Sequence, residues 1–155
     1  MSFGARIRRR AAAASVPAAT LLALLFLPAG GIKQEAADGD VIFEDETRVQ
    51  YARVIEDDDG SRTLELNEGQ AIHSLYRPDS VLTGHYWDAA FVLPLAVGGR
   101  PPGSVAILGN AAGTVARAYE RYFPVTRVDG VDLDGELAEV GERFFGLGGA
   151  NFQAH

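Results

Sequence analysis

The stretch Ser104-Val-Ala-Ile-Leu-Gly-Asn-Ala-Ala-Gly113, continued by Thr114 to Phe123 and then by Thr126-Arg-Val-Asp-Gly-Val-Asp-Leu133, decides the fold. Ser104 to Leu108 is a short apolar run of the kind that forms a buried strand. It enters Gly109-Asn-Ala-Ala-Gly113 directly, where glycines allow a sharp turn off the strand. Thr114 to Phe123 has helical composition and stops at Pro124. Thr126 to Leu133 reads as a second strand, and Asp134 caps a helix predicted over Glu136 to Phe145. Glu136 in the first turn of that helix suits the positive end of its dipole. Strand, glycine loop, helix, strand, helix is the opening of a parallel doubly wound sheet.

Working back from this unit, Gly98-Gly-Arg-Pro-Pro-Gly103 punctuates the chain. Before it, residues 84–97 form an apolar helical stretch with Tyr86, Trp87, Phe91, Leu93 and Leu95. Pro94 predicts a kink or an early end there. From Val41 to about Tyr76 the pattern is strands broken by turns. Thr47 to Ile55 alternates, putting Val49, Tyr51 and Val54 near one face. Asp57-Asp-Asp-Gly60 is a turn, and Arg62 to Leu66 returns as its hairpin partner. Asn67-Glu-Gly69 makes another turn before a short strand at Ala71-Ile-His73. The expected organisation is a strand domain over 41–83 and an α/β domain over 84–155.

The 155 residues, 47% hydrophobic and 23% charged, suffice for one ordinary core and not for two catalytic domains. The absence of cysteine excludes a disulfide scaffold, a thiolate zinc site and a cysteine nucleophile. Three scattered histidines, His73, His85 and His155, propose no imidazole metal cluster. The net charge of −7 is unevenly placed: Arg6, Arg8, Arg9, Arg10 and Lys33 precede every one of the 21 acids. An acidic body repels phosphate, which disfavours nucleic acid as a partner and tolerates a cationic amine.

Residues 11–32 are uncharged and centre on Thr20-Leu-Leu-Ala-Leu-Leu-Phe-Leu27. That length suits a membrane-crossing helix, so residues 1–33 read as an anchor at the cell membrane. A secretory signal, cleaved near Ala29-Gly-Gly31 to leave a secreted body, is the alternative. The arginines before the segment favour a cytoplasmic N-terminus, which would put the acidic body outside the cell. Residues 34–40 read as a linker.

The constellation that carries chemistry is Gly109, Gly113 and Asp132. Amides at the start of a helix receive polar or anionic atoms, and the loop glycines let a ligand approach the backbone. An acid at the tip of the next strand suits paired ribose hydroxyls. The spacing fits a nucleoside without choosing between dinucleotides and ligands of the S-adenosylmethionine type. Asp134 reads as a helix cap and Asp129 as a solvated strand residue.

Residues 41–147 resemble the polyamine aminopropyltransferases, the spermidine synthases. The resemblance lies in Val49-Gln-Tyr51, Leu66-Asn-Glu-Gly69, Tyr86-Trp-Asp88, Ile107-Leu-Gly-Asn-Ala-Ala-Gly113 and Val131-Asp-Leu-Asp134, in the family's order. It implies a small antiparallel sheet followed by a Rossmann-like domain, and the chain also looks like members that carry membrane segments before this domain. It implies no prosthetic group and no metal, with decarboxylated S-adenosylmethionine as co-substrate and a polyamine such as putrescine as acceptor. Gln50 matches a glutamine on the donor. Gly109, Asn110, Ala111 and Gly113 match the nucleoside loop, and Asp132 matches the ribose acid. Tyr86 matches a tyrosine of the amine pocket, and Asp88 stands where the family has a glutamate.

The departures are also specific. The family loop has more glycines and an aspartate, whereas Asn110-Ala-Ala112 narrows the space for a ligand. Trp87 replaces a histidine. The family's catalytic aspartate lies on a later strand, and no residue here matches it, so no catalytic residue is expected. After the second helix, Gly146 to His155 is expected to add no strand, leaving a half-sheet with an open edge. A truncated enzyme of little or no activity is therefore expected, or one completed by a homo-oligomer or another chain. An S-adenosylmethionine-dependent methyltransferase relative and a non-catalytic anchored binding module are the rival readings.

Overall fold

Four strands, β1 (Asp40–Glu46), β2 (Tyr51–Glu56), β3 (Arg62–Leu66) and β4 (Ile72–Tyr76), form an antiparallel sheet in sequential order in the computed structural model. The structure describes residues 39–67 and 71–155, within the unit Glu35–His155. The expected anchor or signal lies outside the described residues. Among the described residues no helix is long and apolar enough to cross a membrane.

The β2–β3 hairpin closes as expected. The Gly60 amide donates to the Asp57 carbonyl and the Asp57 amide to Ser61, with Gly60 at φ 78°. The strand expected over Thr47 to Ile55 is shorter and begins at Tyr51. Thr47 to Gln50 is a turn, closed by the Thr47 amide on the Gln50 carbonyl and by the Gln50 amide on the Thr47 hydroxyl. A threonine hydroxyl competes with the ladder for backbone donors, and that competition overrides the alternating pattern. Asp40, expected in the linker, already belongs to β1 and faces Glu56.

Helix α1 (Tyr86–Gly98) leads to the second sheet, in which β5 (Ser104–Leu108), β6 (Arg127–Val131) and β7 (Phe152–Ala154) run parallel in that order. Helix α2 (Thr114–Tyr122) connects β5 to β6. α1 continues through Pro94 rather than ending there. The imide removes one helical hydrogen bond, and the exposure of Ala90, one turn earlier, leaves the freed carbonyl within reach of water. The helix expected over Glu136 to Phe145 divides into α3 (Glu136–Val140) and a π-helical turn (Gly141–Phe145).

The expectation that Gly146 to His155 adds no strand is corrected by β7. Its pairing with β6 is short, Val128 to Phe152, Asp129 to Gln153 and Gly130 to Ala154. Phe152 packs at the edge of a core of Phe91, Ala116, Ala118, Tyr119, Val128 and Leu147. One aromatic inside a glycine-rich tail carries no period-2 signal, so the strand depends on this tertiary contact.

The expected strand and α/β domains share a core. Ala52, Val54, Leu64 and Leu66 of the antiparallel sheet pack with Ala111, Ala112, Leu137, Val140 and Phe145. Leu137 and Phe145 are fully buried, each contributing about 1.5–3 kcal/mol. The glycine loop is thereby pressed between the antiparallel sheet and α3.

Candidate ligand site

β5 delivers Gly109 to Gly113 at its C-terminal end, beside the end of β6. The amides of Gly109 and Asn110 donate to the Val131 carbonyl at 2.9 and 3.3 Å, lashing the loop to the β6 tip. Gly109 (φ 78°), Ala111 (φ 46°) and Gly113 (φ 85°) all adopt left-handed conformations. At Gly113 the requirement is also steric, because a Cβ there would lie 2.7 Å from Leu147 Cδ1. At Gly109 a Cβ would meet no described residue within 4 Å, so among these residues the loop is open on that side.

Asp132 leaves the tip of β6 half-buried. Its Oδ2 accepts the Ala111 amide at 2.8 Å and its Oδ1 accepts the Asp134 amide at 3.1 Å. Each oxygen keeps a second lone pair, so a pair of adjacent hydroxyls fits this carboxylate. The loop is held from the other sheet as well: the Ala112 amide donates to Ser74 Oγ at 3.0 Å, and the Leu75 amide to Thr114 Oγ1 at 2.9 Å.

A cavity of about 210 Å³ opens here, lined by Asn110, Ala111, Asp132, Asp134, Ala138 and His155 among others. A second, of about 470 Å³, shares Asp134 and Gly135 with it and extends past Leu133 and Glu136. Together they have room for a nucleoside with a tail. Asn110 is buried, and its Oδ1 is a buried acceptor with no partner among the described residues. Of Asn110, Ala111 and Ala112, expected to narrow the space for a ligand, Ala112 is fully buried in the core, while Asn110 and Ala111 line the cavity.

The structure brings Gly109, Asn110, Ala111, Gly113 and Asp132 together, whereas Gln50 lines neither cavity and meets the site only through Asp134. Gln50 Nε2 donates to Asp134 Oδ2 at 3.2 Å. Asp134 is 2% exposed, and its Oδ1 accepts the Glu136 amide at 3.3 Å, so it does cap α3. Its tie to the β1–β2 turn has no sequence signal, because its partners Thr47 and Gln50 lie more than eighty positions away.

Tyr86 and Asp88 sit at the start of α1 and do not line the Asp132 cavity. Tyr86 is 67% exposed and lies against Trp87, with ring centroids 4.3 Å apart. Asp88 accepts the amides of Thr83 and Gly84 and the Thr83 hydroxyl, at 2.7 to 3.1 Å. Burial alone would raise its pKa, but the bonds from Thr83 and Gly84 prevail and hold it below the ordinary carboxylate value.

Asp129, expected to be solvated, instead accepts His155 Nε2 and Arg127 Nε, each at 3.0 Å. The His155 bond is the main cause of its lowered pKa. His155 also lines the cavity and accepts the Asp132 amide through its carbonyl at 3.2 Å. His73 lies outside this arrangement, its Nδ1 3.0 Å from the Ala71 carbonyl.

A crystal structure of a probable spermidine synthase from Corynebacterium glutamicum superposes with a TM-score of 0.59 at 18% identity, covering 75% of this chain and 44% of that one. A spermidine synthase in complex with the transition state analogue AdoDATO gives 0.57 at 16% identity, covering 74% and 39%. The fold is that of spermidine synthases. In sequence, a probable polyamine aminopropyl transferase of Bifidobacterium longum is 30% identical over 82 residues, 53% of this chain and 18% of that protein. No protein-family model matches. These neighbours point to the spermidine synthase and aminopropyltransferase family, and the chain spans less than half the length of each.

Proposed function

We propose that the chain forms the donor-binding portion of an aminopropyltransferase, holding decarboxylated S-adenosylmethionine for transfer of its aminopropyl group to a polyamine such as putrescine. The observation that carries this reading is the Asp132 carboxylate, fixed by the Ala111 amide at the mouth of a glycine loop that is open at Gly109. In it, Asp132 receives the ribose hydroxyls and the loop receives the nucleoside. Tyr86 belongs to the amine side: its exposed ring is a surface of the kind that attracts ammonium groups.

In the transfer, a neutral amine nitrogen attacks the aminopropyl carbon bound to the sulfonium. The C–N bond forms, the C–S bond breaks, methylthioadenosine leaves, and the new ammonium loses a proton to a base. The chain's contribution is placement of the electrophilic carbon, which lowers the entropic part of the barrier. We assign no base to this chain.

Calorimetric titration of the folded protein with methylthioadenosine and with decarboxylated S-adenosylmethionine tests the reading. Binding of both, lost in Asp132→Ala, supports it. Binding of neither overturns it, and a preference for intact S-adenosylmethionine redirects it to methyl transfer.

A further inference from the structure

Arg117 carries a charge that the fold leaves without an acceptor. It belongs to α2 and is 8% exposed, yet its guanidinium makes no hydrogen bond or ion pair among the described residues. It lies 4.6 Å from the centroid of the Tyr76 ring, and Arg62 lies over the same ring at 5.3 Å. Arg62 is engaged by Glu56 at 2.5 Å and by the Phe144 carbonyl at 2.8 Å. Glu120, one turn beyond Arg117, turns its Oε1 to the amides of Gly148 and Gly149 instead. Burial lowers the Arg117 pKa by more than Tyr76 and Glu120 raise it, but a guanidinium stays protonated. A ring face offsets only part of the cost of desolvating a cation.

Two features beside Arg117 suit an incoming anion. The Tyr76 hydroxyl, on a half-buried side chain, has no hydrogen-bond partner among the described residues. Gly146 is exposed, at φ 67°, and a Cβ there would meet only Arg117 Nε among the described residues, at 4.0 Å. The guanidinium is thus reached past a residue with no side chain. We infer that Arg117, with Tyr76 and Arg62 beside it, binds a small oxyanion, a carboxylate or a phosphate, entering past Gly146. The planar guanidinium offers such a group two parallel donors, which a halide cannot use together. The net charge of −7 repels large polyanions and limits the occupant to a small one. Neither Arg117 nor Tyr76 lines the cavities beside Asp132, so this site is separate from the adenosyl reading.

Thermal melts of the full chain in rising inorganic phosphate, and separately in acetate, test the inference, with ionic strength held constant by chloride. A saturable rise in Tm with at least one of the two is expected, and the arm that gives it names the occupant. Arg117→Met keeps an unbranched stem without the charge, and the anion affinity read from the saturation curve should fall at least roughly tenfold. Absence of any rise above the chloride control would overturn the inference. So would a rise that is linear in concentration or persists in Arg117→Met, since excluded salts stabilise any fold in that way. If Arg117→Met shows no cooperative melting, Gly146→Asp decides. Aspartate tolerates the left-handed backbone there and sets a carboxylate beside Arg117 Nε. That variant should melt higher without added oxyanion and lose the oxyanion-dependent rise; an undiminished rise would overturn the inference.

Discussion

The Ala111 amide donates to Asp132 Oδ2 at 2.8 Å, so the group assigned to ribose also holds the loop assigned to the nucleoside. One carboxylate thus joins the ends of β5 and β6 and faces the cavity between them. On the proposed reading, stability and ligand affinity are coupled at this contact.

Asp132→Ala is accordingly expected to affect both. It leaves the Ala111 and Asp134 amides without their acceptor, a destabilisation of about 1–3 kcal/mol. Chemical denaturation reads that loss, and calorimetry reads the accompanying loss of adenosyl binding. Asp132→Asn retains one acceptor oxygen and should fall between the two. An alanine variant as stable as the wild type would contradict the geometry.

The two outer loop glycines should behave differently. Gly113→Ala forces a Cβ to within 2.7 Å of Leu147 at φ 85° and is expected to cost more than about 2 kcal/mol. Gly109→Ala meets open space and carries only the backbone penalty, about 1–2 kcal/mol. The methyl group of Gly109→Ala would instead obstruct the ligand. Thermal melts of the two variants, with and without methylthioadenosine, check the order.

Asp88→Ala should lower stability by about 1–2 kcal/mol, as loss of a helix-start acceptor does, without changing methylthioadenosine affinity. The Asp88 pKa is lowered in the folded chain, so its contribution is present above the ordinary carboxylate pKa. It is lost as pH falls through the folded value. The acid limb of the stability profile should flatten in the variant.

Tyr51 gives a test at the alkaline end. Burial, followed by its 2.6 Å hydrogen bond to Glu44, pushes its pKa up to about 12 from 10.0. A raised folded pKa contributes stability that is full below pH 10 and disappears as pH rises toward 12. That contribution is on the order of 2 kcal/mol. Phenolate absorbance should show Tyr51 titrating late, alongside Tyr119, whose burial also raises its pKa, and Tyr51→Phe should remove the Tyr51 titration and the matching alkaline loss.

Much of the parallel unit was legible in the sequence. Ser104 to Leu108 is an apolar run ending in glycine, and Asp132 follows at the tip of the next strand; both patterns are local. The hairpin at Asp57 to Gly60 was legible for the same reason. The turn at Thr47 to Gln50 was not, because a threonine hydroxyl overrode the alternation expected there. Nor was β7, whose single aromatic is held by a distant core.

The sequence by itself determined the order of elements from β5 to α3, the loop that turns off β5 and the acid that faces it. These follow from propensity, periodicity and the conformational freedom of glycine, each acting over a few residues. Only the tertiary structure decided that Asp134 would join Gln50 to Asp132 and that Asn110 would hold a buried oxygen without a partner among the described residues. Hydrogen bonds between groups more than eighty positions apart arise only once two sheets share a core, and no local pattern records them.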